Sequence, residues 1–145
     1  MNINMIIDIS GSMAVSWKMS LVRDLCRFAS DISLLDVRFK DTNIIFLSWN
    51  ESINKIVPLD EQGCLTIKYA GKSDFNVIEN YLINNDNSYI LITDGSCGLK
   101  KLDSKKFVCL LIGDEVKIEL VNLKLKTFSA EDVYAAFEYL LAEVI

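Results

Sequence analysis

The sequence predicts an α/β fold: a doubly wound, mostly parallel sheet of about six strands with one antiparallel edge strand. Three observations predict it. Short apolar runs of strand length alternate with segments of helical periodicity. The apolar runs are continuous, as in strands buried on both faces. Small groups of Asp, Asn, Ser and Gly separate them.

The elements follow in order. Residues 3–9 (INMIIDI) read as a first strand, stopped by Ser10-Gly11-Ser12. From Ser16 to Leu35 the apolar residues Leu21, Leu25, Phe28, Ala29 and Ile32 fall at helical offsets. Residues 44–49 (IIFLSW) form a second strand, and a turn at 50–54 leads into a third at 55–59. Pro58 puts that strand at an edge, where a missing N–H is tolerated. Residues 60–70 carry no clear period. Residues 76–83 fit a short helix with Val77, Ile78, Tyr81 and Leu82 inward. Residues 89–93 (YILIT) and 107–112 (FVCLLI) are strands, and a sixth is expected near 123–128. Ser129 and Asp132 have the spacing of a capping box, with Asp standing in for Glu. The helix after them shows Val133, Ala136, Phe137, Leu140 and Leu141 on one stripe.

Length and composition narrow the function. The 145 residues fit one domain, 1–145, and the hydrophobic fraction of 51% suits a large core. The net charge is −5 and no basic stripe is present, so a nucleic-acid partner is not expected. The lysines between Lys100 and Lys106 read as a solvated loop rather than a phosphate contact. No secretory leader is expected, because the N-terminal apolar stretch has no basic flank and no cleavage site. No apolar run approaches the ~18 residues of a membrane span. Cys26, Cys64, Cys97 and Cys109 form no CxxC pair, and histidine is absent, so a zinc site has almost nothing to build from. Reduced thiols and a cytoplasmic location are the expectation, with Cys26 and Cys109 in the core.

Three loops carry the chemistry. They are Asp8-Ile9-Ser10-Gly11-Ser12, Gly71-Lys72-Ser73-Asp74 and Thr93-Asp94-Gly95. Each follows or faces the carboxyl end of a predicted strand, the edge where open α/β sheets bind ligands. Their carboxylates and hydroxyls are hard oxygen donors, suited to Mg²⁺, Mn²⁺ or Ca²⁺. Alternate spacing lets Asp8, Ser10 and Ser12 converge if the loop stays extended. Gly11 is expected to allow the backbone to turn. The helix from Ser16 brings a positive dipole end. Ser73 is either a ligand or a cap for the helix that follows, and Asp74 either supports the site or caps that helix. Asp114 also ends a strand at this edge, where a Gly-Asp turn is the plainer reading.

These strings resemble the von Willebrand factor type A family. Its metal-ion-dependent adhesion site combines a DxSxS motif after the first strand, a threonine in a middle loop and an aspartate ending the fourth strand. Asp8-Ile9-Ser10-Gly11-Ser12, with Met13 following, matches the first part. Asp94 matches the third, and Ser73 stands where threonine is usual. The resemblance implies a Rossmann-like domain with one metal site made of Asp8, Ser10, Ser12, Ser73 and Asp94. It implies Ser10, Ser12 and Ser73 as direct ligands, and Asp8 and Asp94 as direct or water-bridged anions. Mg²⁺, or Mn²⁺ or Ca²⁺, would then accept a Glu or Asp from a partner protein. Small intracellular members resemble adaptors for AAA+ ATPases or for bacterial stress and defence assemblies, and compactness and composition give a bacterial source as the expectation.

The chain departs from the family in having only about ten residues, 96–105, between the fourth and fifth strands, near the minimum for a parallel crossover. The helix usual there is expected to be short or absent, leaving one sheet face thinly covered. An enzyme is not expected. A Mg²⁺-dependent phosphotransferase of the haloacid dehalogenase type would want a second Asp at Ser10 and a lysine on the phosphate. A structural subunit with a vestigial metal site is the other alternative. Trp49 is expected in core or rim, and Trp17 under the metal loop or on a contact surface. Met13 and Cys97 are expected beside the ion, within reach of a partner.

Overall fold

The computed structural model describes residues 1–83, 87–96, 106–113 and 126–144. Its sheet strands are β1 (Asn2–Asp8), β2 (Asn43–Trp49), β3 (Ile53–Lys55), β4 (Ser88–Thr93), β5 (Phe107–Leu111) and β6 (Thr127–Ser129). The described α-helices are α1 (Ser16–Leu35), α2 (Phe75–Ile83) and α3 (Val133–Val144).

The strands lie in the order β3-β2-β1-β4-β5-β6. β1 pairs parallel with both β2 and β4, β4 with β5, and β5 with β6, whereas β3 runs antiparallel to β2. The chain therefore winds outward from β1 in one direction, returns, and winds outward from β4 in the other. The reversal opens a crevice beyond the carboxyl ends of β1 and β4, the topological switch point of a doubly wound sheet.

The strands alternate their side chains between two buried layers. Ile3, Met5, Ile7, Ile90, Ile92, Val108 and Leu110 share one cluster with α1 residues Val22, Leu25, Cys26, Ala29 and Ile32. Ala136, Phe137 and Leu140 of α3 complete that layer. On the opposite face Ile6, Leu47, Trp49, Leu91, Cys109 and Leu111 pack with Phe75 and Ile78 of α2. Burial on both faces explains why the β4 and β5 runs are apolar without alternation, and why Asn4 of β1 is buried as well.

Three local expectations change. The edge strand is Ile53–Lys55 rather than 55–59. The hairpin is tighter than expected, with Trp49 opposite Ile53, and pairing ends after Ile56 N–H donates to the Phe46 carbonyl at 3.0 Å. Pro58 has no N–H to extend the ladder, and Leu59 instead forms an isolated antiparallel bridge with Leu65. Residues 60–70, which carry no clear period in the sequence, are tied down: Asp60 Oδ1 accepts the N–H of Gln62 and of Cys64, and Leu65, Ile67 and Tyr69 pack on the α1-side core. β6 is Thr127–Ser129, later than expected, and 123–125 lie outside the described residues. At the last helix Ser129 Oγ donates to the Asp132 carboxylate at 3.0 Å, and a 3₁₀ turn at Ala130–Asp132 precedes α3. Asp is one methylene shorter than Glu, and no side-chain cap reaches the backbone there. The expected thin cover between β4 and β5 falls on 97–105, outside the described residues.

On the surface, Arg38 ties Asp36 to Glu138 of α3 at 2.7 and 3.1 Å, and Tyr134 donates to the same Asp36 carboxylate. Hydrogen bonds from Arg38 and Tyr134 hold that carboxyl well below its ordinary range. The cluster anchors the chain leaving α1 to the C-terminal helix.

Phe137→Ala should lower stability by about 3–5 kcal/mol in urea denaturation, whereas Leu34→Ala, at an 86% exposed position, should stay within about 0.5 kcal/mol. Burial pushes the Cys26 thiol up to about 12 from the ordinary 9.0. The unfolded chain then loses that proton first, so stability should fall as pH rises from 9.0 towards 12. At pH 8 iodoacetamide should label exposed Cys64 and spare buried Cys26 and Cys109 in the folded chain.

Candidate metal centre

The site is organised around Asp8, the last residue of β1, which has no exposed surface. A carboxylate out of water is costly unless its lone pairs are used. All the donors that satisfy it are local to the switch point. Oδ1 accepts the Ser10 N–H at 2.9 Å and the Ser73 hydroxyl at 2.7 Å. Oδ2 accepts the Thr93 hydroxyl at 2.6 Å. Ser73 comes from the loop before α2 and Thr93 from the end of β4, so three segments meet on one side chain.

The backbone locks these segments together. Ile9 N–H donates to the Trp49 carbonyl at 2.9 Å, Ala70 N–H to Ile9 at 2.8 Å and Gly11 N–H to Gly71 at 3.1 Å. Trp49 is fully buried, and its indole N–H donates to the Asp74 carbonyl at 3.0 Å. Gly71 holds φ +76°, a left-handed conformation that side chains resist, and an added Cβ would lie 3.3 Å from Glu51 Oε1. Gly11 has no such constraint: a Cβ there would meet only the Gly71 carbonyl, at 4.0 Å. The turning role expected of Gly11 therefore belongs to Gly71.

Ser10 and Ser12 converge as expected, by a different path. Ser10 is extended, at φ −64° and ψ 162°, and the chain then enters a 3₁₀ turn at Gly11–Met13. The Ser10 and Ser12 hydroxyl oxygens lie 3.2 Å apart. Ser96 extends the row, with its Oγ 2.9 Å from that of Ser12. An open pocket of about 510 Å³ is lined by Ser10, Gly11, Ser12, Gly71, Lys72, Ser73 and Ser96.

Asp94 is handled differently from Asp8. Its Oδ1 accepts the Ser96 N–H at 3.0 Å and the Ser96 hydroxyl at 2.8 Å. Its Oδ2 pairs with the Lys18 ammonium at 2.9 Å, and that ammonium also donates to the Ser12 carbonyl at 3.1 Å. Burial works to raise the Asp94 pKa, but the Ser96 N–H, Lys18, and the Ser96 and Ser12 hydroxyls outweigh it. The carboxyl therefore titrates below its ordinary value.

The structure thus gathers all five predicted residues, Asp8, Ser10, Ser12, Ser73 and Asp94, at one crevice. Ser73 points its hydroxyl at Asp8, while Asp74 caps α2 by accepting the Asn76 N–H at 3.0 Å. Met13 is fully buried in the core and offers nothing to a partner, a correction that follows from the 3₁₀ turn rolling it inward. Trp17 is 48% exposed rather than tucked under the loop. Cys97 and Asp114 lie outside the described residues.

Three participants were missed. Thr93 and Ser96 flank Asp94 as ordinary turn hydroxyls, and only the fold shows their targets. Lys18 did leave a signal. It falls on the apolar stripe of α1 with Val22, Leu25, Ala29 and Ile32, where a lone lysine needs a buried partner.

The donor set fits a small hard cation. Mg²⁺ takes oxygens at about 2.1 Å in octahedral geometry, which sets neighbouring ligand oxygens about 3 Å apart. The Ser10–Ser12 spacing of 3.2 Å, at present a hydrogen bond between the two hydroxyls, is compatible with that edge length. Because Ser73 commits its proton to Asp8, its lone pairs are left for another partner. Thr93 both donates to Asp8 and accepts the Gly95 N–H at 3.0 Å, so it is a brace rather than a ligand. Among the described residues no three His, Cys, Asp or Glu side chains cluster, so any ion here rests largely on hydroxyls.

Thr93→Val, nearly isosteric, should cost about 1–3 kcal/mol of stability, because it leaves a buried carboxylate oxygen without its donor. Urea denaturation at neutral pH checks it; an unchanged midpoint would contradict the bracing role.

No family model matches the chain, and no curated protein matches it. Solved structures do. Proximal thread matrix protein 1 from the mussel byssus aligns over 99% of this chain in its second crystal form, at TM-score 0.53 and 14% identity. The same protein with a zinc-occupied MIDAS motif aligns at TM-score 0.54 and 15% identity. The ArnB paralog VWA2 from Sulfolobus acidocaldarius covers 92% of this chain at TM-score 0.53 and 16% identity. The chain spans 45% of the mussel protein and 42% of VWA2, less than half of each. Together with the strand order, the likeness establishes a von Willebrand factor type A-like, Rossmann-like α/β fold.

Proposed function

We propose that the chain is a metal-dependent protein-interaction module of the von Willebrand factor type A kind, without enzymatic activity. Mg²⁺, or Mn²⁺ or Ca²⁺, is held by the hydroxyls of Ser10, Ser12 and Ser73, with Asp8 and Asp94 as supporting anions. The ion then takes a Glu or Asp carboxylate from a partner protein. The observation that carries this reading is the set of serines that line an open pocket, braced from beneath by a buried carboxylate that accepts three hydrogen bonds. Neutral direct ligands leave the ion electrophilic, and the open pocket leaves it a coordination position. Lys72 on the pocket wall adds positive charge for an acidic partner.

The same geometry counts against a phosphotransferase. A nucleophilic aspartate must present a free oxygen to the substrate, and Asp8 has no exposed surface and accepts bonds at both oxygens. No described helix is long and apolar enough to cross a membrane. An AAA+ ATPase or a bacterial stress or defence assembly in the cytoplasm is the partner class this reading carries forward.

One observation favours the vestigial alternative: Lys18 already neutralises Asp94. Calorimetry separates the two. Mn²⁺ should release or absorb heat saturably with the native chain, and Ser12→Ala should weaken binding about tenfold or more. Partner capture from a cell extract should need Mg²⁺ and be lost in EDTA and in Asp8→Ala. Equal capture in EDTA would refute the module, and Mg²⁺-dependent turnover of an aryl phosphate would restore the enzyme.

A further inference from the structure

Lys18 is a buried cation bonded into this site, a group that a simple cation cage would not contain. It is 7% exposed and sits in the first turn of α1. Its ammonium bridges Asp94 Oδ2 at 2.9 Å and the Ser12 carbonyl at 3.1 Å, so it is bonded to two of the residues that form the centre. The Lys18 and Asp94 side chains are 9% and 3% exposed, so the pair is little screened by solvent.

We propose that Lys18 is a built-in counter-ion that competes with the divalent cation for Asp94 and thereby sets how tightly, and with what net charge, the centre is loaded. The proposal rests on the metal-module reading and says how that site is regulated. Counted over Asp8, Asp94 and Lys18 alone, leaving out Lys72 on the pocket wall, the formal charge of the empty centre is −1. A divalent cation makes the loaded centre +1. Without Lys18 the loaded centre would be neutral. The lysine thus weakens the grip on the ion while keeping the loaded face attractive to an anionic partner. It also keeps the empty state folded, because Asp94 would otherwise be a buried carboxylate short of a cationic partner. Lys18 is a positioning residue: it acts on the ion through Asp94 and the Ser12 loop.

A purely structural lysine makes the opposite prediction, since removing it would loosen the loop and weaken the ion. The test is Mn²⁺ titration by calorimetry of the native chain, Lys18→Met and Lys18→Arg. Lys18→Met should bind Mn²⁺ about fivefold or more tighter, and Lys18→Arg, which keeps the charge, should not. In thermal melts Lys18→Met without metal should melt below the native chain, and saturating Mn²⁺ should raise its Tm by more than it raises the native Tm. Equal or weaker Mn²⁺ binding by a folded Lys18→Met overturns the proposal. If Lys18→Met does not fold, Lys18→Gln takes its place. Absence of heat from both the native chain and the variants would overturn the metal reading beneath, and is told apart by that silence.

Discussion

The site depends on one constraint: the carboxylate of Asp8 is buried and must have its lone pairs filled. Leaving such a group unpaired would cost several kcal/mol, and each charge-assisted bond returns roughly 1.5–3 kcal/mol. The donors are Ser10, Ser73 and Thr93, the last two separated from Asp8 by 65 and 85 positions. Only a sheet that places β4 beside β1, with the loop before α2 folded over the same edge, supplies them together. The strand order and the hydrogen bonds of Asp8 therefore support one another.

The same constraint ties the loops of the candidate site together. Ile9, Gly11 and Ala70 are joined backbone to backbone, and Trp49 is pinned to the Asp74 carbonyl that opens α2. The hydroxyls of Ser10, Ser12 and Ser73 are held by their loops rather than by a ligand. On the proposed reading, a preorganised oxygen set would lose little freedom on taking up an ion, which matters for neutral donors that bind weakly one at a time. Hydroxyls are also the donors whose protons can be turned elsewhere, as Ser73 turns its own to Asp8.

The two carboxylates show two solutions to the same electrostatic problem. Asp8 is satisfied beneath the pocket by three neutral donors, the Ser10 N–H and the Ser73 and Thr93 hydroxyls. Asp94 is satisfied by Ser96 on one oxygen and by an ion pair with Lys18 on the other. The centre is consequently less negative than its aspartates alone suggest. Charge balance around a cation is set by buried groups behind the ligands as much as by the ligands.

The sequence by itself determined the α/β class, most strand and helix positions, the cysteines of the core and the five oxygen-bearing residues at the carboxyl edge. These are local properties: period, turn chemistry and a short motif can be read without knowing what lies across the sheet. Tertiary structure alone decided which hydroxyls brace Asp8, that Ser96 joins the row, that Met13 turns inward and that Pro58 follows the edge strand rather than lying in it. Each of these depends on a partner distant in sequence or on the exact length of a turn, for which periodicity carries no information. Lys18 lies between the two cases. Its place on an apolar stripe announced a buried partner, and only the packing of α1 against β4 could name Asp94.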